Sequence, residues 1–208
     1  MPLRIACDLD GTLADMGAAL QREARNLFGP DAGDFQRLTA RQLRKLWEHV
    51  GEVEDFWLSL PEIEPGGVAR LAVLAALHRW EVLFHTQRPA TAGETAQIQT
   101  QRWLEAHGFE LPSVYVMEGS RGKLADALGL DAVIDDRAEN CVDVVTDSKA
   151  RAFLVWRDDP ASVPTGAASL GIETVFSTAD ALDRLEQLTL ARQKPDGVVG
   201  RVRAAIGL

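Results

Sequence analysis

Cysteine is scarce in this 208-residue chain: Cys7 and Cys141 are the only two. Both sit inside apolar stretches, and two thiols supply neither a disulfide framework nor a metal-binding spacing, so buried free thiols are expected. Long apolar runs are absent too. The segments RLAVLAALHRW and AVID fall far short of the roughly 20 residues that span a bilayer. The N-terminus lacks a signal-peptide pattern, so a cytoplasmic protein without membrane contact is expected. Positive charge is in deficit: 22 Lys and Arg stand against 31 Asp and Glu, a formal net charge of -9. That balance disfavours broad, stable binding to nucleic acid. A small phosphorylated metabolite held by a few local cations and a metal remains compatible as partner. There is no internal repeat.

What is present is average for a folded protein, 46% hydrophobic and 25% charged. The length suits one main domain with an insertion. Arg4 to Cys7 reads as a strand apolar on both faces, as in the interior of a parallel sheet. Similar runs follow at Glu81 to Thr86, Ala132 to Asp135 and Ala152 to Trp156, with weaker ones at Ser113 to Met117 and Ile172 to Phe176. Helical patterns lie between them, at Gly67 to Arg79, Thr95 to His107, Lys123 to Leu128 and Ala138 to Asp147. This alternation predicts an α/β fold built on a doubly wound parallel sheet.

One region breaks the alternation. Residues 15–60 show no convincing strand; AALQREARNLFG stops at Gly29-Pro30, TARQLRKLWEHVG starts at a Thr N-cap and stops at Gly51, and VEDFWLSL stops at Pro61. The chain therefore divides into a core of residues 1–14 and 61–208 and a small helical cap, residues 15–60, inserted after the first strand. Such an insertion sits over the crevice where open α/β sheets bind ligands, and is expected to act as a lid. Thr178 to Arg192 reads as a last helix, and KPDGVVGRVRAAIGL as a short appendage or oligomer contact. A monomer or a homodimer is compatible with this.

The first strand ends in DLDGT, with Asp8 and Asp10 close enough to repel unless a cation offsets them. An isolated pair of this kind is often only a turn. At the end of another predicted strand, however, AVIDDRAEN places Asp135 and Asp136 in the same kind of position. Neighbouring strands bring their carboxyl ends together, so four acidic groups are expected to converge on a divalent cation. Read as an all-oxygen set of carboxylates, the cluster favours Mg²⁺ over zinc, and Mg²⁺ commonly bridges carboxylates to a phosphate. Thr86 at a strand end and Lys123 at a helix start could each meet that phosphate.

In this order the motifs resemble the haloacid dehalogenase (HAD)-like hydrolases: DLDGT (Asp8, Asp10, Thr12), LFHT (Thr86), Lys123, and IDDRAEN (Asp135, Asp136), together spanning about residues 4 to 160. The position of the insertion resembles the first cap type of that superfamily. DFWLSLPEIEPGGVARLAVL and VIDDRAEN are similar to its deoxyribonucleotidase branch. The resemblance implies a Mg²⁺-dependent phosphomonoesterase acting through an aspartyl-phosphate, with nucleoside monophosphates as substrates. Asp8 would be the nucleophile and Asp10 the general acid and base. Asp8, the Asp10 carbonyl and Asp136 would hold the metal, with Asp135 behind them or as an alternative ligand, and Thr86, Gln87 and Lys123 would bind the phosphate. Asp10 argues against a dehalogenase, because a halide leaves without a proton and an alkoxide does not.

Alternatives stay open at this level. IDDR also resembles the phosphatase half of polynucleotide kinase-phosphatases, a 3'-phosphatase reading that the helical cap and acidic charge oppose. A sugar-phosphate phosphatase and a catalytically silent binding module are further readings. Arg88, in Gln87-Arg88-Pro89, departs from the small polar residue that the nucleotidases place before the proline, and is either a contact to an anionic substrate group or a solvated loop residue. Trp47, Phe56 and Trp57 either stack on a base or pack the cap, and helical spacing favours packing. His49, His78, His85 and His107 show no ligand spacing. Asn140 either orients the metal site or opens the next helix.

Overall fold

Arg4–Asp8 (β1) is buried at every position but its first, which is possible only for a strand covered on both faces. It lies in the middle of a six-stranded, all-parallel sheet with Glu81–Thr86 (β2), Ser113–Val116 (β3), Ala132–Asp135 (β4), Arg151–Val155 (β5) and Glu173–Val175 (β6), in the order β3-β2-β1-β4-β5-β6. Strand order reverses beside β1, between β2 on one side and β4 on the other. That is where an open α/β sheet leaves a crevice at its carboxyl edge. The computed structural model describes residues 2–30, 32 and 34–193. The tail from Lys194 onward, expected as an appendage or oligomer contact, lies outside the described residues.

Helices connect the strands: Gly67–His78 (α3), Ala96–Ala106 (α4), Arg121–Leu128 (α5), Ala138–Asp147 (α6) and Thr178–Gln193 (α7). Their bounds follow local chemistry. Thr95 caps α4 by accepting from the Ile98 N–H, and Gly129 ends α5 in the left-handed conformation. The Ser120 hydroxyl accepts from the Lys123 N–H at 3.0 Å, so α5 starts at Arg121, two residues before the expected start at Lys123. This shift matters for the site.

The segment between β1 and α3 is helical, as expected: Met16–Phe28 (α1), Ala40–Glu52 (α2) and a 3₁₀ turn at Phe56–Ser59. Asp15 caps α1 through the Ala18 N–H, and Thr39 with Gln42 forms a reciprocal capping box on α2. Chain entry and exit are pinned together by the Asp15 N–H to Pro61 carbonyl and Ile63 N–H to Leu13 carbonyl bonds, both 2.9 Å. Leu46, Val50, Phe56 and Trp57 are buried in the same apolar cluster as Ile5 and Phe84 of the sheet and Trp103 of α4. A second cluster, including Val133, Cys141, Val144 and Leu154, fills the other face. Both cysteines are buried and unpaired, in agreement with the sequence. Among the described residues, no helix is long and apolar enough to cross a membrane.

Candidate active site

Parallel pairing sets a row of side chains across three strands. Asp8 of β1 is in register with His85 of β2, and the Cys7–Ile134 pair puts the next residues, Asp8 and Asp135, side by side on β1 and β4. All three side chains are buried, and their ligand atoms lie within 4.8 Å of one another. Arg121, from the first turn of α5, reaches this row: Nη2 donates to Asp8 Oδ1 at 3.5 Å, and Nε stands 3.9 Å from Asp135 Oδ2. Its Nε and Nη1 have no hydrogen-bond partner although the residue is only 3% exposed. A buried guanidinium with donors to spare is costly unless an anion completes it.

Burial and mutual repulsion raise the proton affinity of the carboxyls. Burial, then the charge of Asp10, pushes Asp8 up to about 8, against the pull of Arg121, Arg88 and Arg137. Burial with the charge of Asp8 pushes Asp135 and Asp136 to about 7. His85 moves the other way, to about 3, because burial and then Arg121 disfavour its cation. It is therefore a neutral ring, with Nδ1 3.4 Å from Asp8 Oδ1 and no hydrogen-bond partner on either nitrogen. The sequence, with no His near the acidic pairs, pointed to an all-oxygen cluster; strand register corrects this by carrying His85 into it.

Asp10 is clasped on its other side. Arg88 Nε and Nη2 donate to its two oxygens at 2.9 and 2.7 Å, and Thr86 Oγ1 donates to Oδ2 at 2.8 Å. Arg88 Nη1 continues to Thr100 Oγ1 at 2.9 Å, and its guanidinium lies 4.9 Å from the Trp57 ring centroid. Arg88 is thus fully engaged rather than solvated. The Thr86 hydroxyl, expected at a phosphate, donates to Asp10 on the wall of the pocket.

Gly11 has φ +95°, a conformation that L side chains rarely adopt, and a Cβ there would overlap the Asp136 carboxylate. The loop after Asp10 can lie against Asp136 only because residue 11 has no side chain. Asp136 Oδ1 is buried without a partner. Asp135 by contrast is saturated, accepting from Asn140 Nδ2 on both oxygens at 3.0 Å and from the Arg137 N–H at 2.9 Å. Asn140, the third residue of α6 rather than its first, therefore orients an acidic side chain.

These groups open into a pocket of about 270 Å³. Asp8, Asp10, Thr86, Gln87, Arg88, Arg121, Arg137 and Asn140 form its polar side; Met16, Trp47, Trp57 and Pro89 form an apolar one. Lys123 is not among the lining residues and is exposed on the outer side of α5. Arg121, which sequence reasoning missed, lines the pocket, and the Ser-Arg-Gly-Lys stretch carried a signal for it: a Ser N-cap starts the helix at Arg121. Phe56 and Trp57 are wholly buried and pack the interior, although Trp57 also borders the pocket that half-buried Trp47 faces. Asp136 lines a separate recess with Gly11 and Asp15.

The donor set fits a hard dication. After burial, the charge of Asp8 raises the proton affinity of Asp136, Asp136 has an unpartnered buried oxygen, and carboxylate oxygens suit Mg²⁺. Between Asp8 and Asp135 the Arg121 guanidinium already supplies the positive charge.

No protein-family model and no curated protein matches the chain. Solved structures do. An HAD family hydrolase from Deinococcus radiodurans R1, with bound phosphate and sodium, aligns at TM-score 0.56 and 16% identity over 89% of this chain and 97% of its own. A provisionally assigned β-phosphoglucomutase from Thermotoga maritima aligns at 0.57 and 16% over 89% and 99%. A haloacid dehalogenase-like family hydrolase from Xanthomonas campestris aligns at 0.53 and 14% over 92% and 95%. The six-stranded parallel sheet with its helical layers has the fold of the HAD family hydrolases.

Proposed function

We propose that the protein is a phosphomonoesterase that transfers the phosphoryl group to Asp8 and then to water. The observation that carries this reading is the buried Arg121 guanidinium, 3.5 Å from Asp8 Oδ1 with two nitrogens unpartnered, on the wall of a pocket that also holds Asp10. A phosphate dianion would satisfy those donors and set its phosphorus against the Asp8 carboxylate.

An Asp8 oxygen attacks phosphorus, the ester P–O bond breaks, and the departing oxygen takes its electron pair and a proton from Asp10. A water then attacks the aspartyl-phosphate and gives its proton to Asp10. The Asp8–phosphorus bond breaks, restoring the carboxylate and releasing inorganic phosphate. Arg121 and Gln87 hold the non-bridging oxygens, and Arg137 supplies a further cation at the pocket. Thr86 positions Asp10 through its hydroxyl. Asp8, the Asp10 carbonyl and Asp136 are the residues that would hold Mg²⁺, with Asp135 anchored behind them by Asn140. Bound there, the ion would offset the repulsion between an anionic nucleophile and an anionic phosphate.

Residues 15–60 act in this reading as the cap, contributing Met16, Trp47 and Trp57 to the pocket. An apolar, aromatic wall opposite a cationic one suits a phosphate carried on a planar ring, which supports nucleoside monophosphates as the substrate class. Asp8→Asn should abolish release of phosphate from a generic aryl phosphate in the presence of Mg²⁺, and wild-type activity in that variant would overturn the nucleophile assignment. A screen of deoxynucleotides, ribonucleotides and sugar phosphates tests the substrate class; turnover of sugar phosphates alone would refute the nucleotidase reading.

A further inference from the structure

The turn that follows β1 satisfies its N–H groups from within. The Leu9 carbonyl accepts from Thr12, Leu13 and Ala14, and the Gly11 N–H donates to the Ala14 carbonyl at 3.0 Å. The carbonyls of Gly11 and Thr12 take their donors from elsewhere in the chain, as buried backbone must. Arg157, two residues beyond β5, supplies them: Nε donates to the Gly11 carbonyl at 3.2 Å and Nη2 to the Thr12 carbonyl at 3.0 Å. The buried Thr178 hydroxyl, at the start of α7, donates to the same Thr12 carbonyl at 2.7 Å and accepts from Arg157 Nη2 at 2.8 Å.

The guanidinium is fixed from its far side as well. Glu64, on the chain that leaves the cap, accepts from Arg157 Nη1 at 2.7 Å, and its two oxygens also accept from the Thr178 and Ala179 N–H groups. Each of the three guanidinium nitrogens thus has a partner, and the planar fork is held in one geometry. The Asp10 turn, the exit of the cap and the start of α7 meet on this one side chain.

What the clasp fixes is the stretch that carries Asp10, which lies between Leu9 and Gly11 and serves the proposed reaction through both its carboxyl and its carbonyl. Asp8 by contrast is set by the strand pairing of β1, and Arg121 by the capped start of α5. Loss of Arg157 would therefore shift one reacting group relative to the others, leaving the nucleophile and the phosphate donors in place. A displacement of about 1 Å at a reacting group can cost on the order of 100-fold in rate.

We infer that Arg157 is a positioning residue of the proposed reaction: by holding the Gly11 and Thr12 carbonyls it sets the place of Asp10 relative to Asp8, and through Glu64 it ties that turn to the exit of the cap. This rests on the phosphomonoesterase reading.

The test compares Arg157→Ala with Arg70→Ala. Arg70 also braces α7, through the Ala179 carbonyl at 3.3 Å and the Asp183 carboxylate, but it does so from α3 and away from the Asp10 turn. With 4-nitrophenyl phosphate and Mg²⁺, Arg157→Ala should lose about 10- to 100-fold in kcat while KM stays within about twofold of wild type. Amide hydrogen exchange at Gly11 to Ala14 should accelerate in the same variant. Arg70→Ala should lower the melting temperature and change neither kcat nor exchange in that turn. If Arg157→Ala does not fold, Glu64→Gln, which keeps the side chain's shape and removes the charge paired with Arg157, decides in its place, with a loss in kcat of about threefold or more at constant KM. Wild-type kcat in the folded variant, a loss confined to KM, or effects no larger than those of Arg70→Ala at equal loss of melting temperature would overturn the inference and leave the phosphatase reading standing. No phosphate release from the wild type overturns both readings.

Discussion

Arg121 Nη2 lies 3.5 Å from Asp8 Oδ1 across 113 residues of chain, while Lys123, two positions further along the same helix, is exposed to solvent. The phase of α5 decides this. Ser120 caps the helix, and Gly122 lets it pack so tightly on α6 that a Cβ would overlap the Asp143 backbone, which leaves residue 121 facing the sheet and residue 123 facing out.

Arg121→Ala should therefore lower kcat/KM for an aryl phosphate by about 100-fold or more, the range for loss of a group that stabilises transferring charge. Lys123→Ala should stay within about threefold of wild type, as expected for a solvated surface cation. The reverse order of effects in steady-state assays would show that Lys123 rather than Arg121 serves the phosphate.

A second expectation concerns pH. Asp8, at about 8 in the folded protein against 3.8 ordinarily, binds its proton more tightly folded than unfolded. Its contribution to stability is fully present below 3.8 and is lost as pH rises through 8. Asp135 and Asp136, at about 7, behave likewise. His85 runs the other way, its contribution present above 6.5 and lost as pH falls toward 3, so it does not offset the carboxyls on the alkaline side. Without divalent ions, thermal unfolding should show stability falling between about pH 6.5 and 8 by on the order of 1–2 kcal/mol. Mg²⁺ should flatten that fall, and Asp8→Asn should reduce it; a chelator-treated wild type equally stable at both ends would contradict the burial argument.

Much of this was legible in the sequence because two kinds of signal are local. Strand runs ending in Asp8, Thr86 and Asp135 mark the carboxyl edge of a parallel sheet, and the strandless stretch after Asp15 marks the helical insertion. What escaped depends on side-chain direction. The two-residue difference between Arg121 and Lys123 is a matter of helix phase. The clasp of Arg88 on Asp10 joins residues 78 apart through no local pattern. His85 left a clue, a polar residue inside an otherwise buried apolar strand, but its neighbour Asp8 is supplied by register with β1.

Gly11→Ala should cost about 2–4 kcal/mol, combining a backbone held at φ +95° with a side chain that collides with Asp136. Because the collision displaces a residue that would hold the cation, Mg²⁺ affinity measured by calorimetry should fall alongside the melting temperature. A variant that melts lower but binds Mg²⁺ as tightly as wild type would place the cation away from Asp136.

The two pocket tryptophans should separate packing from recognition. Trp57 is wholly buried, donates to the Pro89 carbonyl and underlies Arg88, so Trp57→Ala should destabilise the fold by about 3–5 kcal/mol, as for a large aromatic removed from a core. Trp47 is half-buried on the pocket wall, and Trp47→Ala should cost only about 1 kcal/mol of stability. If the aromatic wall holds a planar ring, Trp47→Ala should raise KM about tenfold for a nucleoside monophosphate, the value of a lost stacking contact, and leave KM for a small alkyl phosphate unchanged. Equal effects on the two substrates would mean that Trp47 shapes the pocket without contacting a ring.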